Sequence, residues 1–274
     1  MRLRLLPSAH PRASAAGGAL PAQPLTSYVV EGAGGAGPLV IDAGSVGLVG
    51  EPQDMARARG LVLTHAHIDH VASLPMWVEA LLSLDRAPVR VHASDGAIAA
   101  LRAHLFSGAL FPDFEALAEP DGRPLMELVP FPVEEEFEVA GFRLRAFEVN
   151  HPVPTHGLFV DDGEDAIVFG ADSGPTERLW QIAREAERVR AVVLETSFPN
   201  RMQAIADGSG HLTAATLATE IAKAPERVRV LVAHLKPAYR VDVAAEIQAL
   251  GTRPGGRFEL LQPDFDVQVT RADP

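Results

Sequence analysis

The chain has 274 residues, a length that suits one large domain or two small ones. Apolar residues make up 47% and charged residues 22% of it, as in ordinary globular proteins, and the formal net charge is −12. This acidic balance argues against broad binding of phosphate backbones, although a local metal site can reverse the sign of the field. Cysteine is absent, so disulfides and thiol nucleophiles are excluded and any metal must be bound by histidine and carboxylate.

The N-terminal residues bear a weak likeness to a signal peptide, because Arg2 and Arg4 precede small and apolar residues. Arg4 interrupts the apolar stretch and Pro7 follows it, so residues 3–6 are expected to form a first strand instead. No apolar run approaches about 18 residues, which predicts that the chain has no transmembrane helix. The expected location is the cytoplasm.

Apolar runs and turn residues then divide the chain into short elements. Residues 15–24 are predicted as a loop and 32–38 as a glycine-rich turn. The predicted strands are 3–6, 26–30, 39–41, 60–64, 89–92, two within 136–147 joined at Gly141, 157–160, 166–169, 191–194, 228–233 and 258–261. The predicted helices are 71–82, 95–105, 177–187, 213–223 and 242–250. This pattern favours a layered α/β (α+β) fold, expected as a single domain over residues 1–274, whose site lies at one sheet edge.

Residues 106–130 are irregular and apolar, with several phenylalanines and leucines. Such a segment can cover a pocket as a lid, or it can pack as an additional part of the core. Its aromatic side chains are able to stack on a base, but plain core packing is the favoured interpretation.

A dense cluster of histidine and aspartate follows the buried strand 60–64, in the pattern His-x-His-x-Asp-His. Its members are His65, His67, Asp69 and His70. On an extended segment, two histidines two residues apart point the same way, so both can reach one ion. Asp69 and His70 come after the chain turns into a helix, where they can face a second ion. Imidazole and carboxylate suit Zn²⁺, and also Mn²⁺ or Fe²⁺.

This motif resembles the signature of the metallo-β-lactamase superfamily. The resemblance implies a four-layer αββα sandwich with two divalent metal ions, expected to be zinc, at one edge of its two sheets. It also implies that His65, His67 and His151 bind the first metal, that Asp69, His70 and His234 bind the second, and that Asp172 bridges both. Asp42 resembles an early aspartate that supports the site from behind. A water shared by two such cations loses its proton near neutral pH and becomes a nucleophile.

Further segments are similar to the class II cyclic-nucleotide phosphodiesterases, which hydrolyse 3′,5′-cAMP or cGMP to the 5′-monophosphate. They lie at residues 150–155, 195–200, 209–213 and 233–237. This similarity implies a small phosphodiester as substrate and no nucleic acid or membrane as partner. A homodimer would also be in keeping with the superfamily.

Two catalytic residues are predicted, namely Asp69 and His211. His211 precedes a predicted helix, where the dipole and the imidazole favour an anion, so it is expected to bind phosphate or to protonate the leaving oxygen. Lys236 lies two residues after a predicted ligand and is expected to touch phosphate, although a solvated surface lysine is an equal alternative. His156 stands where an apolar residue is usual in the family, and is expected to line the pocket or to compete with His151 as a ligand.

Two other functions stay open. Residues 209–213 are also similar to the late histidine motif of tRNA 3′-processing endonucleases, but such an enzyme needs a large basic surface and the net charge here is −12. A β-lactamase or a thioester hydrolase would share the metal site. In a different class, the chain could be a metal-binding protein without catalytic turnover.

Overall fold

The short strands of the sequence assemble into two mixed sheets. The computed structural model describes residues 1–8, 23–49, 55–251, 257–264 and 266–269, so most of the predicted loop 15–24 lies outside the described residues. The strands are β1 (Arg2–Leu5), β2 (Tyr28–Glu31), β3 (Leu39–Ile41), β4 (Gly60–Val62), β5 (Val89–Ala93), β6 (Met126–Pro130), β7 (Glu136–Val139), β8 (Phe142–Glu148), β9 (His156–Asp161), β10 (Ala166–Phe169), β11 (Val189–Glu195), β12 (Arg229–Ala233), β13 (Phe258–Leu260) and β14 (Asp266–Gln268).

Helices fill the connections between these strands. They are α1 (Ile68–Val71), α2 (Leu74–Leu82), α3 (Asp95–Ala100), α4 (Arg178–Glu185), α5 (Gln203–Ser209), α6 (Ala214–Ile221) and α7 (Arg240–Ala249). A π-helical turn, Leu101–Leu105, continues α3, and short 3₁₀ turns lie at Ala33–Gly35 and Asn200–Met202. Within the described ranges, no helix is long and apolar enough to cross a membrane.

Counted over the described residues, each sheet contains seven strands, and the two sheets divide the chain almost into halves. The first has the order β14-β1-β2-β3-β4-β5-β6 and the second β13-β12-β11-β10-β9-β8-β7. Strands β3 to β6 run parallel, as do β10 to β13. Their carboxyl ends therefore meet at one edge, where α/β folds usually place a site.

Three separate hydrophobic clusters show that the sheets pack face to face between two layers of helices. Adjacent residues of one strand alternate between clusters: Leu39 and Ile41 lie between the sheets, whereas Val40 faces the helices of the first half. In the second sheet, Ile167 faces the first sheet and Val168 faces α4 and α6. This arrangement is the predicted four-layer αββα sandwich.

The predicted strands and helices are present, with four differences. Strand β6 and helix α5 lie in segments that showed no clear period, and β14 follows the strand expected to be the last. The predicted helix 71–82 is interrupted between Val71 and Leu74. Pro75 lies in the first turn of α2, where a proline suits the start of a helix, and the Ser73 hydroxyl donates to the carbonyl of Ala43 at 2.8 Å.

The aromatic side chains of residues 106–130 pack on one another and on the helical layer of the first sheet. The rings of Phe106, Phe111 and Phe114 lie 5.5–6.3 Å apart between centroids. Phe106 and Phe114 are buried in the same cluster as Trp77. This packing agrees with the core interpretation of the segment, and a role as a lid stays a prediction.

A buried polar contact fixes α4 to α6. The indole of Trp180 donates to Glu220 at 2.6 Å, and Lys223 donates to the other oxygen of that carboxylate at 2.7 Å. Glu220 is only 1% exposed, so both of its oxygens depend on these partners.

We therefore expect Glu220→Ala to lower the free energy of unfolding by about 1–3 kcal/mol, because it leaves the buried indole N–H without an acceptor. Urea denaturation followed by circular dichroism measures the effect. Glu220→Gln should cost less, since its amide oxygen can still accept from Trp180, and Glu226→Ala, on an exposed turn, serves as the control. Equal losses in the alanine and glutamine variants would contradict this account.

Candidate metal centre

The candidate site is built at the carboxyl ends of five strands. Asp42 follows β3, His65 follows β4, Asp172 follows β10, Glu195 ends β11 and His234 follows β12. The segments before β2 and after β3 hold the histidine-rich turn in place: the backbone N–H of Thr26 donates to the carbonyl of Asp69, and that of Ala43 to the carbonyl of His70. Gly44 lies so close to this turn that a Cβ atom there would meet the Asp69 carbonyl oxygen at 2.0 Å. Only glycine fits.

The structure brings all seven predicted metal ligands together. They form two groups that share Asp172, and within each group the ligand atoms lie within 4.8 Å of one another. The first group is His65, His67, His151 and Asp172. The second is Asp69, His70, Asp172 and His234. These are the two sets that the family resemblance implies.

Two buried atoms face each other in the first group without a hydrogen-bond partner. They are Nε2 of His65 and Oδ2 of Asp172, which lie 4.0 Å apart. A buried, unpaired carboxylate oxygen is costly, and a cation between the two atoms would satisfy both of them. The residues present therefore fit a divalent metal ion.

In three of the histidine ligands, the ring nitrogen that points away from the cluster has a partner in the protein. His70 Nδ1 donates to Asp42 at 2.7 Å, and His151 Nδ1 donates to the Gly210 carbonyl at 3.1 Å. His234 Nδ1 lies 3.1 Å from the Ser197 hydroxyl. In each ring Nε2 is left to face the cluster, which is the arrangement expected of a metal-binding histidine.

The two groups differ in charge. Burial, reinforced by the neighbouring His70, lowers the pKa of His65 well below its usual range, so this ring is neutral and able to bind a cation. Burial also opposes protonation of His70, but the carboxylates of Asp172 and Asp42 outweigh it and raise its pKa. The carboxylates around His70 thus favour positive charge at this position, which is the charge that a bound cation would supply.

A third buried group lies behind the second. His211 Nδ1 donates to Glu195 Oε1 at 2.6 Å, and the same oxygen accepts from the backbone of Leu212 at 3.2 Å. Burial lowers the pKa of His211, but the bond to Glu195 outweighs it and raises the pKa. Glu195 begins the segment 195–200 noted above, but its pairing with His211 could not be predicted, since the two residues meet only in the folded chain.

The remaining predicted residues occupy different positions. Lys236 reaches the cluster, where its Nζ donates to Asp69 Oδ2 at 3.1 Å. His156 belongs to none of the metal-capable groups found in the described part of the chain. As the first residue of β9 it shares a face with Leu158, and its ring packs edge-on against Phe131 at 5.6 Å. Its predicted part in substrate binding stays a prediction.

The backbone at three of these strand ends is strained. Asp42, Ala171 and His234 have φ values of 61°, 52° and 57°, in the left-handed region that residues other than glycine rarely adopt. Each such residue costs on the order of 1–3 kcal/mol and persists where its surroundings fix it. Here the strain turns Asp42, Asp172 and His234 back toward the cluster.

Comparisons with known proteins agree with this fold. A family model described as the β-lactamase superfamily domain matches residues 41–272. A ribonuclease Z from Kineococcus radiotolerans is 28% identical over an alignment of 254 residues, which covers 77% of this chain and 78% of that protein.

Solved structures share the fold across almost the whole chain. Unliganded yeast PDE1 has a TM-score of 0.72 at 13% identity, with 97% of this chain and 98% of that chain covered. The metallo-β-lactamase fold protein YhfI from Bacillus subtilis has a TM-score of 0.68 at 17% identity, with the same coverage. The chain therefore belongs to the β-lactamase superfamily, as a hydrolase with the metallo-β-lactamase fold.

Proposed function

We propose that the protein is a metal-dependent phosphodiesterase that hydrolyses 3′,5′-cyclic nucleotides to 5′-monophosphates. The observation that carries the proposal is the pair of ligand groups joined through Asp172, with His211 beside a ring of each group. Zn²⁺ is the expected ion, and Mn²⁺ or Fe²⁺ suits the same ligands. Two such ions, when bound, supply Lewis-acid stabilisation of a phosphate and lower the pKa of water.

The protein's own residues complete the chemistry. Because Glu195 holds Nδ1 of His211, the other ring nitrogen is the one available to a substrate. The His211 ring lies 5.1 Å from that of His151 and 6.0 Å from that of His234, between the two ligand groups. It can therefore give a proton to the departing alkoxide. Lys236, beside Asp69, adds positive charge for the phosphate.

A second candidate function is hydrolysis of RNA, which the similarity to ribonuclease Z favours. That similarity stands against the expectation that the protein has no nucleic-acid partner. The net charge of −12 favours a small substrate instead, since a polyanion needs a cationic surface.

We expect the purified protein to convert 3′,5′-cAMP to 5′-AMP with Zn²⁺ or Mn²⁺, and to lose this activity when a chelator removes the metal. Chromatography of the products measures the reaction, with bis-p-nitrophenyl phosphate and a 3′-extended tRNA as comparison substrates. Cleavage of the tRNA alone would replace the proposal by the second candidate. Bound metal without turnover of any of the three would leave a metal-binding protein.

Asp172→Asn should reduce turnover by at least about 100-fold and lower the metal content, because a neutral amide cannot bridge two cations in place of the carboxylate. Metal analysis and initial rates measure both effects. Asp121→Asn, at a surface position whose side chain is 56% exposed, is the matched control and should change neither. Normal metal content in the Asp172 variant would refute the bridging role.

His211→Ala should retain metal and lose cAMP turnover, yet keep much of its activity toward bis-p-nitrophenyl phosphate. The reason is that p-nitrophenolate departs without a proton, whereas a ribose alkoxide needs one. Glu195→Gln should show the same contrast more weakly, because it acts through the His211 ring. If both substrates lose activity equally, His211 binds phosphate rather than donating a proton.

A further inference from the structure

We infer that Phe198, together with Tyr239, forms a stacking site for the nucleobase of the substrate, beside the metal centre. This inference rests on the proposed function, because it names the part of a nucleotide that the same site recognises. The aromatic rings of segment 106–130 pack in the core and leave no place for a base. Phe198 and Tyr239 offer such a place.

Phe198 differs from the other phenylalanines in where its ring packs. Of the eleven phenylalanines in the described ranges, ten belong to or pack against one of the three hydrophobic clusters. Phe198 alone does not, although its ring is half-buried. Core packing therefore does not explain it.

The contacts of Phe198 lead instead from the candidate site toward the surface. Its ring lies 5.6 Å from the ring of His211 and 5.8 Å from that of Tyr239, which itself packs against the third hydrophobic cluster and so supports Phe198. The guanidinium of Arg201, whose side chain is 58% exposed, lies 5.9 Å from the Tyr239 ring. Exposure thus increases outward from His211, which is 5% exposed. A phosphate held near His211 would place its attached nucleoside along this row of rings.

The backbone fixes the row relative to the site. Phe198 donates its N–H to the carbonyl of Leu212 at 3.3 Å, and it forms an isolated bridge with Thr213. Pro199 follows at once and is buried, which restricts the chain on that side. A rigid aromatic face next to a phosphate site suits a base, because every base has a π-face that can stack.

The test compares two probes that differ only in the base, 5′-AMP and ribose 5-phosphate, by calorimetry on the metal-loaded protein. The wild type should bind 5′-AMP roughly tenfold more tightly than ribose 5-phosphate, as base stacking predicts. Phe198→Ala should lose that preference, with affinity for ribose 5-phosphate unchanged. Equal affinity of the wild type for both probes, or equal weakening of both by the variant, would overturn the inference.

Three further variants make the result specific. Phe198→Tyr should keep the preference, because it keeps the ring. Phe198→Leu replaces the alanine variant if that variant folds poorly; it retains apolar volume but should lose the preference, because it has no ring. Phe258→Ala removes a half-buried ring from β13 and should leave the preference intact. A preference that survives in Phe198→Leu rejects stacking.

Turnover is scored separately from binding. A preference for 5′-AMP without hydrolysis of any phosphodiester would reject the proposed reaction and keep the base site. Hydrolysis of cAMP without a preference for 5′-AMP would reject the base site alone.

Discussion

The candidate site depends on one buried carboxylate, that of Asp172, which must lie next to histidines from both sheets. One of its oxygens lies 3.2 Å from His70 and 3.4 Å from His234, and the other faces His65 at 4.0 Å. His65 and His70 follow β4 of the first sheet, whereas Asp172 and His234 follow strands of the second. The site can exist only where both sheets end side by side, so the packing between the sheets is also what aligns the ligands.

The residues that hold the ligand side chains differ from those at the outer edge of the site. The loop after β3, the Asp42 carboxylate and the Ser197 hydroxyl hold the ligand rings from behind, and none of them reaches outward to a substrate. Under the proposed function, substrate choice would depend on residues farther out, such as Lys236 and the aromatic row that begins at Phe198. Yeast PDE1 and YhfI share this fold over nearly all of the chain at 13% and 17% identity, so the fold is kept while most of the sequence differs.

The layered fold was predictable from the sequence because period-two and helical patterns are local properties. The turn from His65 to His70 was predictable for the same reason, since four ligand types lie within six residues. His151, Asp172 and His234 lie far apart in the chain, and only the family resemblance pointed to them. Glu195 and Phe198 escaped functional assignment, because their importance arises from neighbours such as His211 that only the folded chain brings close. The strand β14 was missed although its residues alternate between polar and apolar, since three residues are too few to establish a period.

The position of β14 affects the order in which the protein can be completed during synthesis. Leu3 pairs with Val267, so β1 is synthesised more than 250 residues before the strand that covers its outer edge. Until then, one side of β1 presents unpaired N–H and carbonyl groups, which readily capture another chain. Until β14 is in place, this edge of the sheet that carries the histidine motif is a site where aggregation can start.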